Sequence, residues 1–237
     1  MSGRTTVYLA RYGVRAEMLV ENEGPFDMVL TREGEEQAGA LADFLSTTPH
    51  PPTQVLASPF QRAVITGSLV ASALDIPLKI EDGLTEWLTP SLVGGPGSRA
   101  PGPHTPLTPA QHAEEGRPNI DTEYASVSAA SFPEDEDSLK ARCAATLSDL
   151  FQAGVISPGS STLIVSHAPV LLALALALTP ALSPPPWPLG GVSSFDTQND
   201  ILNLAEGVWQ SDLVVSTSHL SGPASNGIQS WTLPSLQ

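Results

Sequence analysis

The sequence predicts an α/β fold of three layers, in which a mostly parallel central sheet carries helices on both faces. Short segments rich in β-branched and apolar residues alternate with longer segments whose apolar residues recur at helical spacing, and this order is typical of parallel sheets. The segment 161–166 is an almost continuous apolar run, as expected of a strand buried on both faces. With 237 residues and a hydrophobic content of 41%, the chain can form the core of one such domain over 1–237.

The predicted strands are the short segments in this alternation. Four of them are expected in the body of the sheet, and the last two segments are candidates for edge strands. In chain order they span 5–10, 54–57, 77–80, 161–166, 192–197 and 208–216.

Four helices are predicted between these strands. They begin at Glu33, Pro59, Ser138 and Val170. Ser58 is the predicted cap of the second helix, and Pro59 suits its first position because a missing N–H costs nothing there. The fourth helix ends at Leu178 and is too short to cross a membrane, which takes ~20 apolar residues, so we expect it to be buried.

Two connections are predicted to be irregular. The segment 89–118 is dense in proline and glycine and offers too little apolar surface to offset its ordering entropy, so we expect a long mobile loop. The segment 180–191 contains consecutive prolines and is predicted to be a second, semi-extended connection because proline fixes φ.

The charge balance argues against anionic partners. Ten basic and 25 acidic residues give a net charge of −15, which should repel nucleic-acid backbones and anionic membranes. We therefore expect no direct binding of nucleic acid by this domain and no membrane association. The single cysteine, Cys143, cannot form an internal disulfide, and the N-terminus lacks the pattern of a secretory signal, so an intracellular location is predicted.

Three arginines and a histidine fall at the predicted ends of strands. Arg11 and Arg15 come just after the first strand, Arg62 lies near the start of the second helix, and His167 follows the strand 161–166. Singly, an arginine is usually a solvated charge and a histidine after a buried strand a satisfied core residue. Ligands of open α/β sheets bind beyond the carboxyl ends of the strands, so we expect the four side chains to converge there. Guanidinium groups bind phosphate oxygens bidentately, and the pattern predicts a cationic phosphate pocket.

The order of these motifs resembles the histidine phosphatase superfamily. The motifs are TVYLARYGVR, SPFQRA, GLTEW and LIVSHA. The resemblance implies a phosphoenzyme mechanism without cofactor or metal, in which Arg11, Arg15, Arg62 and His167 hold the phosphoryl group. It also implies that Glu86 protonates the leaving oxygen, a role that needs a carboxyl held protonated near neutral pH.

Tyr12 departs from that pattern, because it stands where the superfamily has its nucleophilic histidine. A neutral imidazole is a good nucleophile at pH 7 and forms a labile phosphoramidate, whereas a phenol titrates near pH ~10 and stays protonated. We therefore expect little or no turnover. In the simplest interpretation, Tyr12 only fills the space of the lost imidazole.

A narrower resemblance covers nearly the whole chain apart from the proline-rich loop. The chain is similar to the N-terminal phosphatase-like domain of the small subunit of fungal transcription factor IIIC, which serves RNA polymerase III. This implies other protein subunits as partners and a location in the nucleus; otherwise the cytoplasm is expected.

Two classes of function stay open at this point. The first is a non-catalytic subunit that binds proteins, phosphate or a phosphoprotein, which the lost nucleophile and the acidic surface favour. The second is a working phosphomonoesterase or protein phosphatase in which His167 or activated water replaces the missing histidine, which the retained charged residues favour.

Overall fold

The computed structural model describes residues 3–16, 27–89, 105–181, 183–197, 208–211, 215–225 and 228–236. The strands in these ranges are β1 (Thr5–Arg11), β2 (Gln54–Ala57), β3 (Leu78–Ile80), β4 (Ser161–Ser166), β5 (Trp187–Pro188), β6 (Val192–Thr197) and β7 (Ser230–Trp231). The α-helices are α1 (Arg32–Ser46), α2 (Gln61–Leu74), α3 (Pro109–Glu114), α4 (Glu136–Gln152) and α5 (Ala168–Leu178).

The central sheet is mixed and mostly parallel, which confirms the predicted fold class. Its five strands follow the order β3-β2-β4-β1-β6. β4 pairs in parallel with β1 and with β2, and β2 pairs in parallel with β3. β6 runs antiparallel to β1 at the edge, as predicted for 192–197. The carboxyl ends of β1, β2 and β4 therefore meet at one edge of the sheet.

Helices cover both faces of this sheet. Alternate residues of β1 point to opposite sides, so Val7 and Leu9 join one buried cluster with α4 and α5 while Tyr8 and Ala10 join another with α1 and α2. Apolar residues on both faces explain why the strands read as nearly continuous apolar runs. Within the described residues no helix is long and apolar enough to cross a membrane, and α5 belongs to the core.

The start of α2 differs from the prediction. The helix begins at Gln61 rather than Pro59, and Phe60 occupies the cap position without a side-chain cap bond. Ser58 is not the cap because its hydroxyl lies inside the molecule, 2.8 Å from Nε2 of His167. Most other predicted boundaries agree with the observed ones to within one or two residues.

The predicted mobile loop 89–118 contains a helix. In its described part, 89 and 105–118, α3 is held by a reciprocal capping box between Thr108 and Gln111. His112 on this helix is fully buried. The expectation of an irregular loop is wrong for 109–114, because capping and the burial of His112 offset the entropy of ordering these residues. Residues 90–104 lie outside the described residues.

One further prediction needs correction, and another can be compared with the structure only at its two ends. The connection 180–191 includes β5, which pairs antiparallel with β7, and Trp187 on β5 is fully buried. In 208–216 the described residues form antiparallel bridges to β6, Asp196 with Gln210 and Val192 with Ser216, beside the edge of the sheet where this segment was predicted. Residues 212–214 lie outside the described residues.

Candidate active site

The predicted site lies at the carboxyl edge of the parallel strands. Arg11 is the last residue of β1 and Tyr12 follows it, while His167 follows β4 and is the N-cap residue of α5. The backbone N–H of Tyr12 donates to the carbonyl of Ser166 at 3.3 Å. The parallel pairing of β1 and β4 thus places Tyr12 beside His167 through the backbone alone.

Gly13 allows the loop after β1 to pass close to the backbone of α1. A Cβ on Gly13 would collide with the carbonyl of Gly34, and a Cβ on Gly34 would collide with the carbonyl of Val14. The loop after β1 therefore touches the N-terminal turn of α1 backbone to backbone. The N–H of Val14 also donates to Oε1 of Gln37 at 2.8 Å, which fixes the loop against α1.

Arg62, Glu86 and His167 form the centre of the site. Oε2 of Glu86 lies 3.2 Å from Nη2 of Arg62 and 3.0 Å from Nδ1 of His167. Oε1 accepts from the N–H of Trp87 at 3.0 Å. The side chains of Arg62 and His167 are 3% and 0% exposed, so these polar contacts are shielded from water. Glu86 thus joins the two groups that were predicted to hold phosphate.

The protonation of this centre follows from its burial and its charges. Burial alone would raise the pKa of Glu86, but His167, Arg62 and the N–H of Trp87 outweigh it and hold this pKa well below its usual range. Burial lowers the pKa of His167 and outweighs the opposing charge of Glu86. At neutral pH, Arg62 and Glu86 therefore cancel each other beside a neutral imidazole.

This finding differs from two expectations. The sequence predicted a cationic pocket, whereas Glu86 neutralises its centre. The resemblance implied a Glu86 carboxyl held protonated near neutral pH, whereas its partners favour the ionised form. The physical reason is that two hydrogen-bond donors share one carboxylate oxygen, and such bonds stabilise the anion.

Tyr12 packs into the same cluster. The residue is 4% exposed, and its ring lies edge-on to His167 with 5.3 Å between ring centroids. The guanidinium carbon of Arg62 lies 4.9 Å from the centre of the same ring. Leu30 and Leu189 pack with it. The aromatic body of Tyr12 therefore packs against both predicted phosphate-binding groups, which also contact each other, with Nη2 of Arg62 3.1 Å from Nδ1 of His167.

Ser58 was missed as a member of the site. Its hydroxyl lies 2.8 Å from Nε2 of His167, and both side chains are fully buried. Nδ1 of His167 lies within hydrogen-bond distance of both Oε2 of Glu86 and Nη2 of Arg62. Because an ionised carboxylate can only accept, the contact with Glu86 favours the tautomer with its proton on Nδ1, in which Nε2 accepts from Ser58. The available signal was position, since Ser58 directly follows β2 as His167 follows β4.

Arg11 and Arg15 lie differently from Arg62. Nη1 of Arg11 donates to the carbonyl of Trp187 at 2.7 Å and to that of Gln229 at 2.9 Å, so this guanidinium holds the segments around β5 and β7. The side chain of Arg15 is exposed, and its Nη1 lies 3.7 Å from the sulfur of Met28. The structure does not bring Arg15 into the buried cluster, and its role in holding phosphate stays a prediction.

The N-terminus of α2 also has an internal acceptor. The N–H of Gln61, the first helical residue, donates to Oδ1 of Asp27, a buried carboxyl group. This carboxylate takes the place that a helix N-terminus offers to an anion. Among the described residues no group of three or more His, Cys, Asp or Glu side chains could hold a metal ion.

Comparison with known proteins places this geometry in context. A 94-residue stretch is 36% identical to the transcription factor tau 55 kDa subunit of Saccharomyces cerevisiae, covering 36% of this chain and 21% of that protein. The chain thus matches about a fifth of the length of that relative.

Solved structures share the fold at lower sequence identity. A mycobacterial glucosyl-3-phosphoglycerate phosphatase superposes with a TM-score of 0.59 and 18% identity, covering 89% of this chain and 98% of the other. The ecdysone phosphate phosphatase of Bombyx mori reaches 0.61 at 18% identity, covering 96% of each chain. The profile of the histidine phosphatase superfamily (branch 1) matches residues 7–212. This match spans most of the chain, which therefore belongs to the histidine phosphatase superfamily.

Proposed function

We propose that this domain is a histidine phosphatase-like module with little or no turnover, which binds phosphate or a phosphoprotein and associates with other protein subunits. The observation that carries the proposal is Tyr12, which occupies the position of the nucleophile and packs against His167 and Arg62.

The chemistry of the phenol supports weak turnover. A phosphoenzyme needs a nucleophile that attacks phosphorus and then releases it, and imidazole does both near neutral pH. A protonated phenol attacks poorly, and an aryl phosphate formed on Tyr12 would hydrolyse far more slowly than a phosphoramidate. Moreover, the pKa of Glu86 is held low by Arg62 and His167, which disfavours the protonated carboxyl that a leaving group needs.

Similarity to the tau 55 kDa subunit supports a role among other subunits. The matched stretch is 36% identical over 94 residues, and that protein is a subunit of a transcription factor. We propose that the domain acts within a transcription factor IIIC complex of the RNA polymerase III system in a fungal nucleus. The net charge of −15 supports contacts with proteins rather than directly with DNA.

An active phosphomonoesterase is the second candidate. The observation that favours it is the retained contact of Arg62, Glu86 and His167, since a domain kept only as a scaffold had no need of these charges. In that case His167 or an activated water would replace the missing nucleophile.

Hydrolysis of p-nitrophenyl phosphate by the purified chain tests the proposal. We expect the natural chain to be no faster than its Arg62→Ala variant, because neither has a competent nucleophile. Tyr12→His should gain activity if the rest of the pocket is intact, by at least about 10²-fold, the lower range of a positioned catalytic group. Turnover by the natural chain that disappears in Arg62→Ala would contradict the proposal. Thermal unfolding of each variant controls for folding.

The proposed partners need a separate test. We expect affinity purification of the tagged protein from its native cell to recover other subunits of the polymerase III factor, while an equally tagged unrelated acidic protein does not. Recovery of the protein without any such subunit would contradict the assignment to this complex.

A further inference from the structure

We propose that Glu86 is an internal anion that occupies the oxyanion site formed by Arg62 and His167, so that a phosphate monoester binds only when this carboxylate is displaced. The inference rests on the proposed function, because it concerns the same pocket. In this proposal Glu86 competes with phosphate for Arg62 and His167 and does not act as a proton donor.

The contacts of one oxygen carry the inference. Oε2 of Glu86 lies 3.2 Å from Nη2 of Arg62 and 3.0 Å from Nδ1 of His167, so it receives both donors that a phosphate oxygen would need. The Glu86 side chain is only 18% exposed and is fixed by the N–H of Trp87 at its other oxygen. The carboxylate therefore occupies the site as a bound anion would, although it is part of the chain itself.

An incoming oxyanion and this carboxylate exclude each other. Both are acceptors only, so they cannot share the same two donors. Two like charges a few ångströms apart in a buried site also repel strongly, because little water screens them. Binding of phosphate in this pocket thus requires Glu86 to leave Arg62 and His167.

The other positive groups near Glu86 do not supply the attraction for phosphate that Arg62 and His167 lose to this carboxylate. Arg142 on α4 interacts electrostatically with Glu86 but is bound bidentately by Glu134, at 2.7 and 2.8 Å. Arg11 donates its Nη1 to backbone carbonyls, and the N-terminus of α2 donates to Asp27. Internal acceptors thus engage Arg11, Arg142 and the N-terminus of α2, and Glu86 accepts from the two central donors.

Equilibrium binding of sulfate by calorimetry on the full chain tests this inference. Sulfate keeps its double charge throughout the neutral range and cannot be hydrolysed, so the result does not depend on turnover. We expect Glu86→Gln to bind sulfate at least about tenfold more tightly than the natural chain at pH 7.5. The reason is that removing a like charge from a buried site should raise the affinity for an anion by more than about tenfold. Glu86→Ala should show the same direction, which guards against an effect peculiar to the amide.

The matched control is Asp82→Asn. It removes one negative charge from the 3-10 helix Asp82–Leu84, four residues before Glu86, without touching Arg62 or His167. It should leave sulfate affinity within about twofold. The double variant Arg62→Gln with Glu86→Gln should lose the gain, since the main donor is gone.

Equal or weaker binding of sulfate by both Glu86 variants would overturn the inference and restore a supporting role for this carboxylate. An equal gain in Asp82→Asn would also overturn it, because the effect would then be general charge. Neither result bears on hydrolysis, so failure of this inference is distinguishable from failure of the proposed function.

Discussion

At the scale of single residues, a buried ion pair supports the segment that presents Glu86. Nε and Nη2 of Arg142 donate to the two carboxylate oxygens of Glu134, and both residues are buried. Nη1 of Arg142 donates to the carbonyl of Gly83 at 2.7 Å. Arg142 thereby links α4 to the turn that leads directly to Glu86.

We predict that Glu134→Ala destabilises the protein strongly. The substitution leaves the Arg142 guanidinium buried without its carboxylate, and breaking such a pair costs about 3–5 kcal/mol. Urea unfolding measures the change in the free energy of unfolding. Glu36→Ala is the control, because Glu36 pairs with Arg32 on an exposed helix face, and solvated pairs contribute little. A similar loss in both variants would contradict the prediction.

At the scale of secondary-structure elements, two glycines decide how the site loop meets α1. Gly13 and Gly34 allow backbone contact between the loop after β1 and the first turn of the helix. The N–H of Gly34 also donates to Oγ1 of Thr31, the cap residue of α1, at 3.2 Å. Placement of Tyr12 thus depends on a small residue in a different element.

We predict opposite effects for two glycine substitutions in α1. Gly34→Ala should destabilise the protein by about 1–3 kcal/mol, because its Cβ would overlap the carbonyl of Val14 and force the loop to move. Gly39→Ala should stabilise it by about 0.5–1 kcal/mol, because Gly39 is exposed with open space around a Cβ and alanine favours the helix. Thermal and urea unfolding check the two signs, and a gain in Gly34→Ala would contradict the close contact.

A second element-scale feature anchors the segment after α3. Glu81 is fully buried and accepts from the hydroxyls of Tyr124 and Ser126 at 2.6 Å each. It also accepts from the N–H groups of Val127 and Ser128 at 3.1 Å. Burial and the bond to Glu81 raise the pKa of Tyr124, so its phenol remains a donor. One carboxylate therefore holds this segment beside β3.

At the scale of the whole molecule, buried histidines link stability to pH. Burial and the nearby charge of Arg117 lower the pKa of His112. Burial also lowers the pKa of His167 and outweighs the opposing effect of the Glu86 charge. Unfolded histidine takes up a proton near pH 6.5, whereas these folded groups stay neutral to lower pH. The unfolded state then binds more protons, so stability is complete above about pH 6.5 and falls as the pH drops through the window below it.

We predict that the free energy of unfolding decreases between pH 7 and pH 5. Each fully buried histidine contributes a slope of up to about 1.4 kcal/mol per pH unit. Urea unfolding at constant ionic strength measures the slope. His112→Asn should reduce this slope by the contribution of one buried histidine. A free energy that stays level over this range, or a slope unchanged in the variant, would contradict the prediction.

The alternation of strands and helices, the parallel sheet and the motif positions can be predicted from the sequence, because apolar periodicity and strand-end motifs are local properties. The sequence also predicts that Arg62 and His167 converge, since each comes soon after a buried strand, and the two side chains lie in contact. It failed at α3, where local capping combines with the burial of His112 against the rest of the domain.

The contacts of the charged residues depend on how the folded chain brings distant segments together. Glu86 pairs with Arg62 and His167, Arg11 holds the carbonyls of Trp187 and Gln229, and Ser58 meets His167 instead of capping α2. These contacts join residues far apart in the chain, so no local pattern encodes them. Charge state follows from such contacts and from burial, which is why a motif can name the members of a site but not their protonation.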